Sequence, residues 1–144
     1  MTKKLRRKVK PKVIRHNCVK GKLTGWKWAR TKALRFVLIK LSIPADAHVI
    51  RSSVRTGNAK HRASKAKVLG LWRFKYEYNF IPGYGPPRRG KVIQIAYSDY
   101  DRSFSYKKGK LLVPMRGFNT DKNLICASGI HFYLKEKIAL RISW

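Results

Sequence analysis

The stretch Trp72-Arg73-Phe74-Lys75-Tyr76-Glu77-Tyr78-Asn79-Phe80 decides the fold class. Every second residue is aromatic and each one between is charged or an amide, a period of two that suits a strand with one buried face. The pattern predicts a strand over residues 67–80. A second run, Leu34-Arg35-Phe36-Val37-Leu38-Ile39-Lys40-Leu41-Ser42-Ile43, is apolar on both alternate faces and stops at Pro44. It reads as a central strand covered on two sides.

Between these runs, residues 51–62 are polar and basic around Gly57-Asn58 and read as a loop, as do residues 82–90 with three prolines and three glycines. Residues 91–97 read as a strand. Short strands over 103–106 and 111–114 are expected to form a hairpin through Lys107-Lys108-Gly109, with Gly109 supplying a positive φ. Residues 130–134 read as a last strand and 135–142 as a terminal helix. Phe104, Tyr106, Ile130 and Phe132 are expected in the core. The predicted fold is mainly β, α+β at most: a single small antiparallel β domain over 34–144 with a C-terminal helix, preceded by an extended basic arm over 1–33.

At 144 residues the chain has room for one core and hardly two. Its 35 Lys and Arg against 6 Asp and Glu give a net charge of +29, while 44% of residues are apolar, too many for a disordered tail protein. Self-repulsion at this charge density weakens a compact state and draws in every polyanion nearby, which argues against a free cytosolic enzyme. Residues 1–45 carry 15 of the cations and no acid. Seven stand within the first twelve residues, Lys3, Lys4, Arg6, Arg7, Lys8, Lys10 and Lys12, with no helical or strand period. This reads as a polyanion- or partner-binding arm that gains order on its target. No apolar stretch follows it to act as a signal peptide, and 34–43 is too short and too charged to span a bilayer. The expected protein is soluble or peripheral.

Residues suited to catalysis are sparse. Cys18 and Cys126 make no disulfide framework and read as reduced thiols. His16-x-Cys18 with Cys126 and His131 has no familiar zinc spacing, and Cys126 with His131 lacks the orienting acid of a nucleophile–base pair. A packed thiol and a core histidine are the plainer reading. Asp99 and Asp101 flank Tyr100 and suit either a turn that caps backbone N–H groups or a cation, and carboxylates in so basic a chain suit pairing with Lys or Arg. No catalytic residue, metal site or cofactor is predicted. Trp26-Lys27-Trp28 and Tyr84-Gly85-Pro86-Pro87-Arg88-Arg89 interleave aromatics with cations. Such residues stack bases and hold phosphates, or else the tryptophans anchor the arm while the cations face solvent. Trp26, Lys27, Trp28, Arg88 and Arg89 are therefore candidate contacts, without a signature for sequence-specific readout.

The C-terminal half carries three motifs: Ala63-Ser64-Lys65-Ala66-Lys67-Val68-Leu69, then Tyr100-Asp101-Arg102-Ser103-Phe104-Ser105-Tyr106-Lys107-Lys108-Gly109, then Cys126-Ala127-Ser128-Gly129-Ile130-His131-Phe132. Over residues 35–142 this succession resembles an uncharacterised domain of large icosahedral DNA virus proteins, often found beside pentapeptide-like repeats. The chain departs from that pattern by lacking repeats, by its basic arm and by Lys or Arg where such proteins often carry acids. The resemblance brings no activity with it and implies a viral setting.

Together these readings predict a non-enzymatic structural virion protein. It would be a minor capsid component cementing major capsid proteins at the inner side of a large DNA virus shell, made in the host cytoplasm. Expected partners are the major and other minor capsid proteins in a hetero-oligomeric assembly, with an anionic membrane surface or nucleic acid beside them. The alternative is a non-specific nucleic-acid binder, either condensing virion DNA or associated with ribosomes.

Overall fold

A computed structural model describes residues 13–15, 22–51, 60–75, 88–99, 101–114, 117 and 129–141. Among the described residues, eleven strands and one helix follow in order. The first six are β1 (Val13–Arg15), β2 (Lys22–Arg30), β3 (Phe36–Pro44), β4 (His48–Arg51), β5 (His61–Ala63) and β6 (Ala66–Phe74). Then come β7 (Arg89–Val92), β8 (Ile95–Tyr97), β9 (Ser105–Lys107), β10 (Leu111–Leu112), β11 (Ile130–Phe132) and the helix α1 (Glu136–Arg141). They form a seven-stranded sheet, ordered β10-β6-β3-β2-β8-β9 with β7 also on β6, and a four-stranded sheet, β1-β4-β5-β11. All pairings are antiparallel. The fold is mainly β with a short C-terminal helix.

β3 is the central strand its sequence predicts. Val37, Ile39, Leu41 and Ile43 enter a first core and Leu38 enters a second on the opposite face, all fully buried. Burying each such side chain is worth about 1.5–3 kcal/mol. The strand starts at Phe36 rather than Leu34, because Leu34 sits in the β2–β3 turn at φ +66°.

The boundary between arm and domain at residue 34 needs correction. Lys22–Arg30 is not arm but the sheet neighbour of β3, paired from Lys22 opposite Pro44 to Arg30 opposite Phe36. Its cations make the segment look like arm, yet its tryptophans lie two apart and share one side of a strand. β1 also joins a sheet, opposite β4. The seven arm cations lie outside the described residues, as do His16, Cys18, Cys126 and the Tyr84–Pro87 part of the second basic loop.

In β6 the alternation holds but changes phase. Gly70 stands opposite Lys40 and Val68 opposite Leu41, so Leu69 is an extra residue in a β-bulge. Before the bulge Ala66 and Val68 face the first core; after it Leu71 does, and Trp72 and Phe74 turn to the second. Residues 76–80 of the predicted strand lie outside the described residues.

Three further readings change. Residues 91–97 are not one strand: β7 pairs with β6 and β8 with β2. His61 and Arg62 leave the predicted loop and are buried in β5. The turn at Lys107-Lys108-Gly109 exists, closed by the Lys110 amide donating to the Lys107 carbonyl at 3.0 Å, with Gly109 at φ +85°. Its flanking strands do not pair with each other: β9 pairs with β8 and β10 with β6, at opposite ends of the strand order. A link of three residues spans little more than 10 Å, so the turn draws both ends of the sheet together. The sheet therefore curls around the first core, which collects Ala29, Ile39, Leu71, Ala96, Tyr106 and Leu112 from strands all around it.

The smaller sheet closes this core with Val49, Ala63, Ile130 and Phe132. Phe104 packs against it from the β8–β9 turn. At the junction Trp26 and Tyr133 exchange two backbone hydrogen bonds, at 2.8 and 2.7 Å. α1 lies over the outer face of the large sheet, where Ala139 and Leu140 join Trp26, Leu38, Phe74 and Tyr133 in the second core.

A cation–aromatic face as the candidate functional site

On β2 the alternation sends Trp26, Trp28 and Arg30 to the outer face of the large sheet and Lys27 to the inner one. Register adds their neighbours: Trp26 stands opposite Lys40, Trp28 opposite Leu38 and Arg30 opposite Phe36. Cations and rings interleave as a result. The Arg30 guanidinium lies 4.6 Å from the Phe36 ring centre and 5.8 Å from that of Trp28. The Lys40 ammonium lies 5.5 Å from Trp26, and Arg89 lies 4.2 Å from Trp72 and 5.4 Å from Trp26. Arg102 continues the series 5.4 Å from Tyr97, the residue opposite Arg30. Each contact is worth about 0.5–1 kcal/mol at an exposed site. The rings also pack on one another, Trp28 edge-on to Phe36 at 5.7 Å and Phe36 against Phe74 at 5.6 Å.

Two carboxylates hold this array in place. Asp99 pairs with Arg30 Nε at 3.0 Å, and Glu136 at the start of α1 pairs with Arg89 at 3.0 Å. Both pairs are partly exposed, so each adds at most about 1 kcal/mol and mainly fixes the guanidinium planes. Asp101 accepts the backbone amide of Ser103 at 2.9 Å and its hydroxyl as well, and caps its own turn. The two acids thus take the turn and ion-pairing roles that their spacing suits.

Of the five candidate contacts, the structure brings Trp26, Trp28 and Arg89 to one face. Lys27 is not among them: its ammonium donates to the Tyr106 hydroxyl at 2.7 Å on the inner side and lies 4.7 Å from that ring. Arg88 is exposed just ahead of β7, its carbonyl accepting from the Lys75 amide. Lys40, Arg30, Arg102 and Trp72 were not legible as members, because only strand register sets them beside the tryptophans. The one usable signal was alternation, which separates Lys27 from its two neighbours.

His131 lies in β11, opposite Arg62. Among the described residues no group of three or more His, Cys, Asp or Glu stands close enough to hold a metal ion, and no helix is long and apolar enough to cross a membrane. Trp26 is buried in the second core and Trp28 and Trp72 pack against it, so the chemistry this face presents outward is that of cations held on rings, suited to binding carboxylates and phosphates.

The pattern of a family of unknown function (DUF5758) matches residues 14–139. The chain belongs to this family. The matched DUF5758 region starts within β1 and ends within α1, so it takes in both sheets and the cation–aromatic face. No curated protein and no solved structure matches the chain.

Proposed function

We propose that this DUF5758 protein is a non-enzymatic structural component of a large DNA virus particle, a minor capsid protein that cements major capsid proteins at the inner side of the shell. The observation that carries the reading is the use of the four carboxylates among the described residues. Asp46 is paired with Lys65, Asp99 with Arg30 and Glu136 with Arg89, and Asp101 caps its own turn. The charge of +29 is left for something outside the domain to balance. The virus-type motifs add the particle setting, and the major and other minor capsid proteins supply the acidic surfaces.

Stepwise disruption of native particles, with mass spectrometry of each fraction, tests this. Retention on shell fragments after nuclease and high salt is the expected result; release by salt alone or together with the genome overturns it. The second reading, a non-specific nucleic-acid binder, draws on the cation–aromatic face. It predicts a log–log salt slope for duplex DNA of about −0.9 per phosphate neutralised.

A further inference from the structure

Leu69, Leu111 and Val113 expose 39%, 56% and 55% of their surface, although each is next to a strand residue that is fully buried. Leu111 stands opposite Lys67 on β6, and Lys67 opposite Ser42 on β3, so both belong to the outer face. Leu112 is buried opposite Ala66, which leaves Leu111 and Val113 no inward orientation. Leu69 is the extra residue of the bulge in the same strand. Three aliphatic side chains therefore gather where β10 meets β6, away from the part of the sheet that α1 covers.

Lys67 is exposed between them, and Lys107 and Lys108 are exposed in the turn leading into β10. No carboxylate lies on β6, β7, β9 or β10; of the described carboxylates nearest these strands in sequence, Asp101 caps its own turn and Asp99 is paired with Arg30.

We propose that this seam is a docking surface for anionic lipid bilayers. The aliphatic tips enter the headgroup boundary while the lysines extend their stems and keep their ammonium groups among lipid phosphates and carboxylates. Nucleic acid would engage the lysines and gain nothing from Leu111 or Val113. Protein hot spots favour Trp, Tyr and Arg and are poor in Leu and Val, whereas this seam is built of Leu, Val and Lys. Its aromatic and arginine neighbours stack on one another closer to α1. The proposal is independent of the capsid reading: vesicle binding can fail while shell association holds, and the reverse.

The test is sedimentation of the full chain with vesicles of phosphatidylcholine alone or with about 30% phosphatidylserine, at low salt and at about 0.5 M salt. The expected result is binding to the anionic vesicles that survives in part at high salt. Leu111→Ser with Val113→Ser should weaken that residual binding about tenfold and leave affinity for a short DNA duplex unchanged. Lys67→Gln with Lys107→Gln and Lys108→Gln should weaken binding chiefly at low salt. Unaltered vesicle affinity in the serine variant, or complete release of the parent protein by salt, overturns the proposal. So does a parent protein that prefers polyglutamate to the vesicles and loses this preference in the serine variant. Should that double variant fail to fold by thermal melting, Leu69→Ser carries the same expectation.

Discussion

The indole of Trp72 lies across Gly70, so close that a β-carbon on the glycine would stand 2.6 Å from Cη2 of the ring. Arg89 packs on that same indole and ties it to Glu136 of α1. Gly25 has the corresponding relation to Phe132, where a β-carbon would stand 2.5 Å from Cδ2 and 3.1 Å from Cβ. The first glycine seats the cation–aromatic face on the sheet, and the second lets the smaller sheet approach β2.

The two glycines should differ in cost. Gly70→Ala meets the far end of a half-buried ring and should cost about 1 kcal/mol, the lower end for overpacking, with a change in tryptophan fluorescence. Gly25→Ala meets a fully buried phenylalanine close to its own backbone and should cost about 3 kcal/mol, the upper end for overpacking. Urea denaturation of both variants checks the order; equal costs would mean that Phe132 is freer than its burial implies.

Leu34 holds φ +66° in an exposed turn, where an L side chain is strained by about 1–2 kcal/mol. Leu34→Asn should relieve part of this and raise Tm by about 2–4 °C. A lower Tm would show that the leucine makes a contact worth more than the strain.

Tyr106→Phe removes the acceptor of the part-buried Lys27 ammonium and should cost about 1–3 kcal/mol. Lys27→Met in the same background should recover much of that loss, since the charge then no longer lies beside an apolar ring. A double-mutant cycle measured by denaturation reads the coupling.

Asp46 has its carboxyl held below the ordinary value, first by the hydrogen bond from Lys65 and then by the charge of that lysine. Its folded-state pKa lies below its unfolded one. The contribution is therefore present above the unfolded value, near pH 4, and is lost as pH falls through the folded value. NMR titration of Asp46 should show the depressed midpoint, and Lys65→Ala should return it to the usual range. Because the carboxylate is well exposed, the accompanying change in stability should be small.

Much of the fold is legible from short windows of sequence. The runs around Val37 and Trp72 announce strands because alternation and β-branching act within a few residues, and Gly109 announces its turn for the same reason. Reading fails where the partner is distant. Lys107-Lys108-Gly109 looks like the turn of a hairpin, and nothing nearby shows that β9 and β10 each pair elsewhere. Lys22–Arg30 looks like arm until β3 lies beside it.

The site follows the same division. Alternation alone separates Trp26 and Trp28 from Lys27, since a pleated strand sends neighbours to opposite faces. That Arg89 meets Trp26 and Trp72, or that Arg30 meets Phe36, depends on how separate strands pair, and one bulge at Leu69 sets which face the end of β6 presents. The sequence by itself determined the charge excess, the strand-rich class and the local periodicities, because these come from composition and from the geometry of one strand. Tertiary structure decided how the sheet curls, which carboxylates are spent on internal pairs and which aliphatic side chains are left at the seam, because those outcomes depend on contacts that no single segment contains.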